Sequence, residues 1–133
     1  MSEPISLSPS LEDYLEVIWS LDQQNDTIRV TDLAEKLNVA KSSVNQAVTK
    51  LVELQLLRHE RYGPLELTAL GTEMAKKIRG RHDLLKRFFS DILGVDPETA
   101  ETDACAIEHH ISPVTVEKLI DYVANLLPKG PAR

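Results

Sequence analysis

Thr31-Asp-Leu-Ala-Glu-Lys-Leu37, Asn38-Val-Ala40, Lys41-Ser-Ser-Val-Asn-Gln-Ala-Val-Thr-Lys-Leu-Val-Glu-Leu-Gln55, Leu56-Leu-Arg-His-Glu-Arg-Tyr62, Gly63-Pro64 and Leu65-Glu-Leu-Thr68 follow one another without a break, and their apolar spacing changes part-way. Thr31 is placed to cap a helix running to about Leu37, with Glu35 near the capping-box position. Asn38-Val39-Ala40 leaves room only for a tight turn. Over 41–55, Val44, Ala47, Val48, Leu51 and Leu54 recur at helical intervals and define the inward face of a second helix. From Leu56 the pattern becomes an alternation of apolar and polar residues, broken by Gly63-Pro64 and resumed at Leu65, which predicts a hairpin. Two short helices joined by about three residues make a helix-turn-helix. A hairpin directly behind it makes a winged helix.

Working outward, residues 8–24 predict a helix capped by Ser10 or Ser8, with Leu11, Tyr14, Leu15, Ile18, Trp19 and Leu21 as its apolar stripe. Gln23-Gln24-Asn25-Asp26 is a polar turn, and Ile28-Arg29-Val30 a short β-like piece. On the other side, Thr68 or Gly71 opens a long helix to about Leu93, with Met74, Ile78, Leu85, Phe88, Phe89 and Ile92 on its buried side. Gly94 ends it. Asp96-Pro97-Glu98 starts the next helix, which carries Cys105 through His110. Ser112-Pro113 starts a last one, to about Leu127, and Pro128 and Pro131 close the chain. The fold class is mainly α: an N-terminal winged helix-turn-helix over 1–70 and a C-terminal helical domain over 71–133.

The length of 133 residues is enough for a real core. There is no basic stretch followed by an apolar run at the N-terminus and no run of about 18 apolar residues, so neither a secretion signal nor a membrane partner is expected. Cys105 is the single cysteine, which rules out an intrachain disulfide and fits a reducing, cytoplasmic location. The net charge of −6 is unevenly placed. Residues 29–87 hold 12 Lys and Arg against 7 Asp and Glu, a local charge of +5, while the remainder holds 3 against 14, or −11. A basic middle suits a nucleic-acid face, and acidic flanks suit a cation.

Cys105-Ala-Ile-Glu108-His109 carries the chemistry. In a helix, Cys105, Glu108 and His109 share one face, and thiolate, carboxylate and imidazole together make a transition-metal donor set. Three ligands rarely close a site. Asp13 and Glu16, an acidic pair one turn apart in the first helix, and His82, in the basic Lys76-Lys77-x-Arg79-x-Arg81-His82 run, are the candidates to complete it. The bland alternatives are a small buried cysteine with an exposed glutamate and histidine, two acids complementing a helix dipole, and a solvated basic face. His110, about 100° further round the helix from His109, and His59, in the hairpin, read as structural and surface residues.

Asp13-Tyr14-Leu15-Glu16, Ser42-Ser43-Val44-x-Gln46, Leu67-Thr68-x-x-Gly71, Arg81-His82-x-Leu84-Leu85 and Cys105-x-x-Glu108-His109 together resemble the diphtheria-toxin-repressor family of metal-dependent bacterial transcriptional repressors, over roughly residues 7–127. The resemblance implies a winged-helix domain and a helical metal-binding and dimerisation domain. Under that resemblance the chain looks like the short, two-domain form of manganese transport regulators, and the SH3-like third domain that other members add is not expected. It also implies Asp13, Glu16, His82, Cys105, Glu108 and His109 as metal ligands. Five of these match the manganese branch, whereas Cys105, where that branch has Glu, is an iron-branch feature. The iron branch's ancillary site would need a carboxylate and an imidazole at Lys86 and Glu101, and a protonated lysine is no ligand.

The resulting expectation is a homodimeric, metal-activated repressor that binds double-stranded operator DNA and controls metal-ion homeostasis. Fe(II) ranks first as activator because of the thiolate and Mn(II) second, the latter making it a manganese-responsive repressor of the same type. Ser42, Ser43, Asn45 and Gln46 are candidates for base edges, and Lys36, Lys41, Lys50, Arg58 and Arg61 for phosphates. The dimer face is expected to be apolar, drawing on Phe88, Phe89, Ile92, Leu93 and residues of 114–127. A winged-helix regulator sensing an organic ligand would leave the acidic pair and the Cys105–His109 segment unexplained. An enzyme using Cys105 and His82 as nucleophile and base would lack any oxyanion-hole or substrate-pocket signature, so no catalytic activity is expected.

Overall fold

Ser8 accepts a hydrogen bond from the Leu11 amide at 3.2 Å and starts α1, Pro9–Gln23, with proline in the first turn where its missing N–H is not needed. In this computed structural model, residues 7–24, 27–60 and 63–126 are described. The expected turn residues Asn25 and Asp26, the hairpin residues Arg61 and Tyr62, and the chain from Leu127 onward with Pro128 and Pro131 lie outside them. The chain divides into two compact units, Met1–Ile78 and Arg79–Arg133.

In the first unit, α1 is followed by α2, Val30–Leu37, and α3, Lys41–Glu53. α2 begins one residue before the expected Thr31 cap. Arg29 holds the cap position in extended backbone, and the side chain of Asp32, three residues on, accepts the Arg29 amide at 3.0 Å. A carboxylate in the first turn thus does the capping, not the threonine hydroxyl. Asn38 ends α2 in the left-handed region at φ 55°, and the Val39 amide returns to the Ala34 carbonyl at 3.0 Å, the closure that makes so short a turn possible. α3 ends likewise at Gln55, φ 64°.

β1, Leu57–His59, pairs antiparallel with β2, Leu65–Leu67, in the register Leu57 with Leu67, Arg58 with Glu66, His59 with Leu65. The β-like piece at Ile28 joins them by one bridge, its carbonyl accepting the Leu65 amide at 2.8 Å. Leu15 and Ile18 of α1, Leu33 of α2, Val44 and Leu51 of α3, and Leu56 and Leu65 of the hairpin are buried together in one core. Each such side chain contributes about 1.5–3 kcal/mol on leaving water. This core fixes α3 with its other face outward, which is what a recognition helix requires.

Thr68 caps α4, Ala69–Arg87, by accepting the Gly71 amide at 2.9 Å while donating its hydroxyl to the Gln55 carbonyl at 2.7 Å. The long helix expected to run to Leu93 does not stay α-helical. From Phe88 to Ile92 it widens into a π turn, with the Leu93 amide on the Phe88 carbonyl at 3.1 Å, and Gly94 at φ 77° ends it. Phe88 meets Phe89 and the edge of Tyr122, ring centres 6.0 and 6.3 Å apart. α5, Pro97–Ile107, and α6, Pro113–Leu126, complete the second unit. Asp96 caps α5 by accepting the Thr99 amide at 3.0 Å. No helix among the described residues is long and apolar enough to cross a membrane.

Candidate metal centre

On α4, Ala75, Ile78, His82 and Leu85 are spaced by three or four residues, and all four are buried. The imidazole therefore occupies a place on the apolar stripe, not on the solvated basic face its neighbours suggest. On α5, Ala100 and Ala104 are fully buried, so the inward side of the helix carries little bulk. Glu101, Cys105 and Glu108 then fall at i, i+4 and i+7, one above the other on one face. All three reach His82. Nδ1 of the ring lies 3.1 Å from Glu108 Oε2 and 3.8 Å from Cys105 Sγ, and Nε2 lies 3.0 Å from Glu101 Oε2. Cys105 Sγ is also 3.7 Å from that Glu101 oxygen.

The burial reverses the bland reading of the sequence. Glu108 is 2% exposed and the thiol of Cys105 is the exposed member of the group. α5 ends one residue before Glu108, whose backbone keeps helical angles. His109 and His110 follow in a turn, not within the helix as expected. His109 Nε2 lies 3.3 Å from the second Glu108 oxygen, and His110 is exposed.

A carboxylate as buried as Glu108 is costly unless positive charge or hydrogen bonds compensate it. The ligand atoms of His82, Cys105 and Glu108 all lie within 4.8 Å of one another. Nitrogen, sulfur and oxygen donors so close suit a transition ion better than the all-oxygen shells of calcium or magnesium. The buried Nε2 of His82 sits at ion-pair distance from Glu101 but makes no aligned hydrogen bond among the described residues. These residues fit a divalent transition metal. Asp13 and Glu16 belong to the first unit, one turn apart on α1, Asp13 exposed and Glu16 half-buried.

Two residues around His82 have a part that the sequence reading did not give them. Glu101 Oε1 pairs with Lys86 Nζ at 3.2 Å, one helical turn after His82. The imidazole beside it, and Lys86 on its other oxygen, hold the Glu101 carboxyl below the usual carboxylate range against the opposing effect of partial burial. The signal was present in the spacing. Glu101 is one turn before Cys105 on the same face, and Lys86 one turn after His82.

On α3, Lys41, Ser42, Ser43, Asn45, Gln46 and Lys50 are exposed while Val44, Ala47 and Val48 are buried. Lys36 on α2 and Arg58 on β1 are exposed as well, and Arg61 lies outside the described residues. Lys50 makes a long, exposed ion pair with Glu53 at 3.9 Å, which is weak enough to yield to a phosphate. Thr49 shares the outward face, with its hydroxyl donated to the Asn45 carbonyl at 2.9 Å.

The chain matches the iron-dependent repressor N-terminal DNA-binding domain over residues 6–65 and the iron-dependent repressor metal-binding and dimerisation domain over residues 68–127. It is 43% identical over 116 residues to the HTH-type transcriptional regulator MntR of Listeria monocytogenes, covering 87% of this chain and 81% of that one. To the MntR of Bacillus subtilis it is 40% identical, with the same coverage. A solved manganese-dependent transcriptional repressor in complex with manganese is similar at a TM-score of 0.77 and 29% identity, over 86% of this chain and 52% of that one. The manganese regulator SloR is similar at 0.74 and 28%, over 89% and 55%. The chain thus spans about half the length of these two solved proteins.

Proposed function

The chain belongs to the iron-dependent repressor family of metal-dependent, DNA-binding transcriptional repressors, and we propose that it controls metal-ion homeostasis as a homodimer whose operator affinity is set by a divalent transition metal. The observation that carries this reading is the His82–Cys105–Glu108 cluster in a chain that also presents an exposed recognition-helix face on α3. The proposed ligand set is Asp13, Glu16, His82, Cys105, Glu108 and His109. The metal, when bound, supplies the positive charge against which the three carboxylates of Asp13, Glu16 and Glu108 no longer repel one another. The set draws on α1 as well as on α4 and α5, so ligation makes the DNA-binding region depend on metal, and activation is a shift of population toward a DNA-competent form.

Residues 1–70 form the DNA-binding domain in this reading and 71–133 the metal-binding and dimerisation domain. Ser42, Ser43, Asn45 and Gln46 read base edges, while Lys36, Lys41, Lys50, Arg58 and Arg61 meet phosphates. Leu93, Val114, Ile120 and Tyr122 are exposed apolar residues of the second unit and supply the dimer face. In a closed dimer, the two recognition helices meet half-sites about 34 Å apart or a multiple of it.

The relatives support Mn(II) as the activator, since two of the similar solved proteins are described as manganese-dependent or manganese regulators. One observation favours Fe(II) as a second reading. Cys105 Sγ stands 3.8 Å from His82 Nδ1, and a thiolate ranks softer ions above Mn(II). Operator affinity measured in buffered Mn(II), Fe(II), Co(II) and Zn(II), anaerobically, separates the two. Full-affinity, sequence-specific binding in excess chelator would overturn the metal-activated reading itself.

A further inference from the structure

His82 has two ring nitrogens in different surroundings. Nδ1 faces Cys105 Sγ at 3.8 Å and Glu108 Oε2 at 3.1 Å, the other two donors of the cluster. Nε2, on the far side of the ring, is buried without an aligned hydrogen bond among the described residues. The oxygen nearest to it in the ion pairs is Glu101 Oε2, at 3.0 Å. A neutral imidazole that ligates through Nδ1 carries its proton on Nε2, and a ligating histidine is held in place by whatever accepts that second proton. The Glu101 side chain is 43% exposed, so its carboxylate has room to turn onto the N–H axis, and its other oxygen is already held by Lys86 Nζ at 3.2 Å.

We propose that Glu101 is the positioning residue of His82, accepting the Nε2 proton so that the Nδ1 lone pair faces Cys105 and Glu108, and that Lys86 anchors Glu101 in that role. The inference rests on His82 being a metal ligand. It makes Glu101 a support standing outside the ligand set. It also gives Lys86 a purpose: a tethered cation supplies the charge that keeps the Glu101 carboxylate where the imidazole needs it.

The experiment is a Co(II) titration of the full chain under reducing, anaerobic conditions. Affinity is read by chelator competition, and ligation by the thiolate-to-cobalt charge-transfer and d–d bands, with circular dichroism to check folding. Glu101→Ala is expected to weaken Co(II) binding about 10–100-fold, the usual effect of losing such a partner. Glu101→Gln, whose amide oxygen still accepts, is expected to lose less, and Lys86→Met to move the same way. Band energies should stay put, and in a His82→Ala background Glu101→Ala should cost nothing further. Unchanged affinity in Glu101→Ala would overturn the proposal, as would a full additional loss in the His82→Ala background. So would a Glu101→Gln variant as weak as Glu101→Ala with shifted d–d bands, since that result makes Glu101 a ligand. A His82→Ala variant that binds Co(II) undiminished would instead remove the ligand reading beneath it, and the proposal with it.

Discussion

The carbonyl oxygen of Leu56 occupies the space where a side chain on Gly71 would begin. Thr68 closes the same corner, reaching back to the Gln55 carbonyl and forward to the Gly71 amide at 2.7 and 2.9 Å. The end of α3, the hairpin and the start of α4 are thereby fastened at one point, and the approach is backbone to backbone, so no rotamer can relieve it.

Gly71→Ala is therefore expected to destabilise the chain by at least about 1–3 kcal/mol, the range for forced overpacking, seen as a lower midpoint in urea unfolding. A Gly80→Ala control, where a methyl group meets nothing within 4 Å, should be neutral or slightly stabilising through helix propensity. Equal midpoints for the two variants would show that the corner is loose in solution.

Gln46→Ala should relax sequence preference, at about 1–3 kcal/mol for one base pair, because Gln46 stands exposed beside buried Ala47 and Val48 on α3. Lys50→Ala should instead weaken cognate and scrambled DNA alike and make the salt dependence shallower, by about 1 in the log–log slope if the lysine neutralises one phosphate. Both are read by fluorescence anisotropy across a salt series. An unchanged cognate-to-scrambled ratio for Gln46→Ala would remove it from the base readers.

Asp96 gives the acid limb of stability its sign. The Thr99 amide, then the Thr99 hydroxyl, hold its carboxyl below the ordinary aspartate value, about 3.9. The stabilisation is therefore complete above that value and is lost as pH falls through the lower folded value. Glu101, lowered by His82 and Lys86, acts in the same direction from about 4.3 downward. Asp96→Asn keeps a capping oxygen without the charge. Its thermal midpoint should lie slightly below wild type at neutral pH and converge on it toward about pH 3. A gap that stays constant across that range would mean that the charge contributes nothing.

Cys105→Glu replaces the one soft donor beside His82 and Glu108 with oxygen. Relative activation of DNA binding should shift toward Mn(II) and away from Fe(II). The affinity of the wild-type protein for metal should also rise with pH more steeply than that of the variant, because a thiol with a free pKa of about 8.5 must lose its proton to ligate. Titrations against free metal at two pH values test both. An unaltered metal preference would exclude Cys105 from setting the choice.

The winged helix was legible because its core is local in sequence. Val44, Ala47, Val48 and Leu51 recur at helical spacing, and Leu57, Leu65 and Leu67 alternate with polar residues, so period alone separates helix from strand. Element ends were less so. Asp32 rather than Thr31 starts α2, since either side chain can reach an open amide and only the backbone path decides between them. The surroundings of His82 were hidden for another reason. Arg79, Arg81 and Asp83 around it are charged, and its burial shows only when it is counted with Ala75, Ile78 and Leu85. Glu101 was legible only as a position of the iron branch's ancillary site, and its pairing with His82 and Lys86 was hidden because they are on another helix, 19 and 15 positions away in sequence.

The π turn at Phe88–Ile92 has a bearing on how chains of this kind align. A π turn is an α-helix with one residue too many. Removing a single residue there would let the turn relax to α without disturbing the capped start of α4 at Thr68 or the imidazole at His82, both upstream. Because the turn already absorbs the extra residue, the chain beyond it would keep its phase into Leu93 and Gly94, where the helix is already ending. Length variation by one residue is thus absorbed between His82 and the end of the helix, and a gap placed there carries no implication for His82 before it or for Cys105 and Glu108 after it.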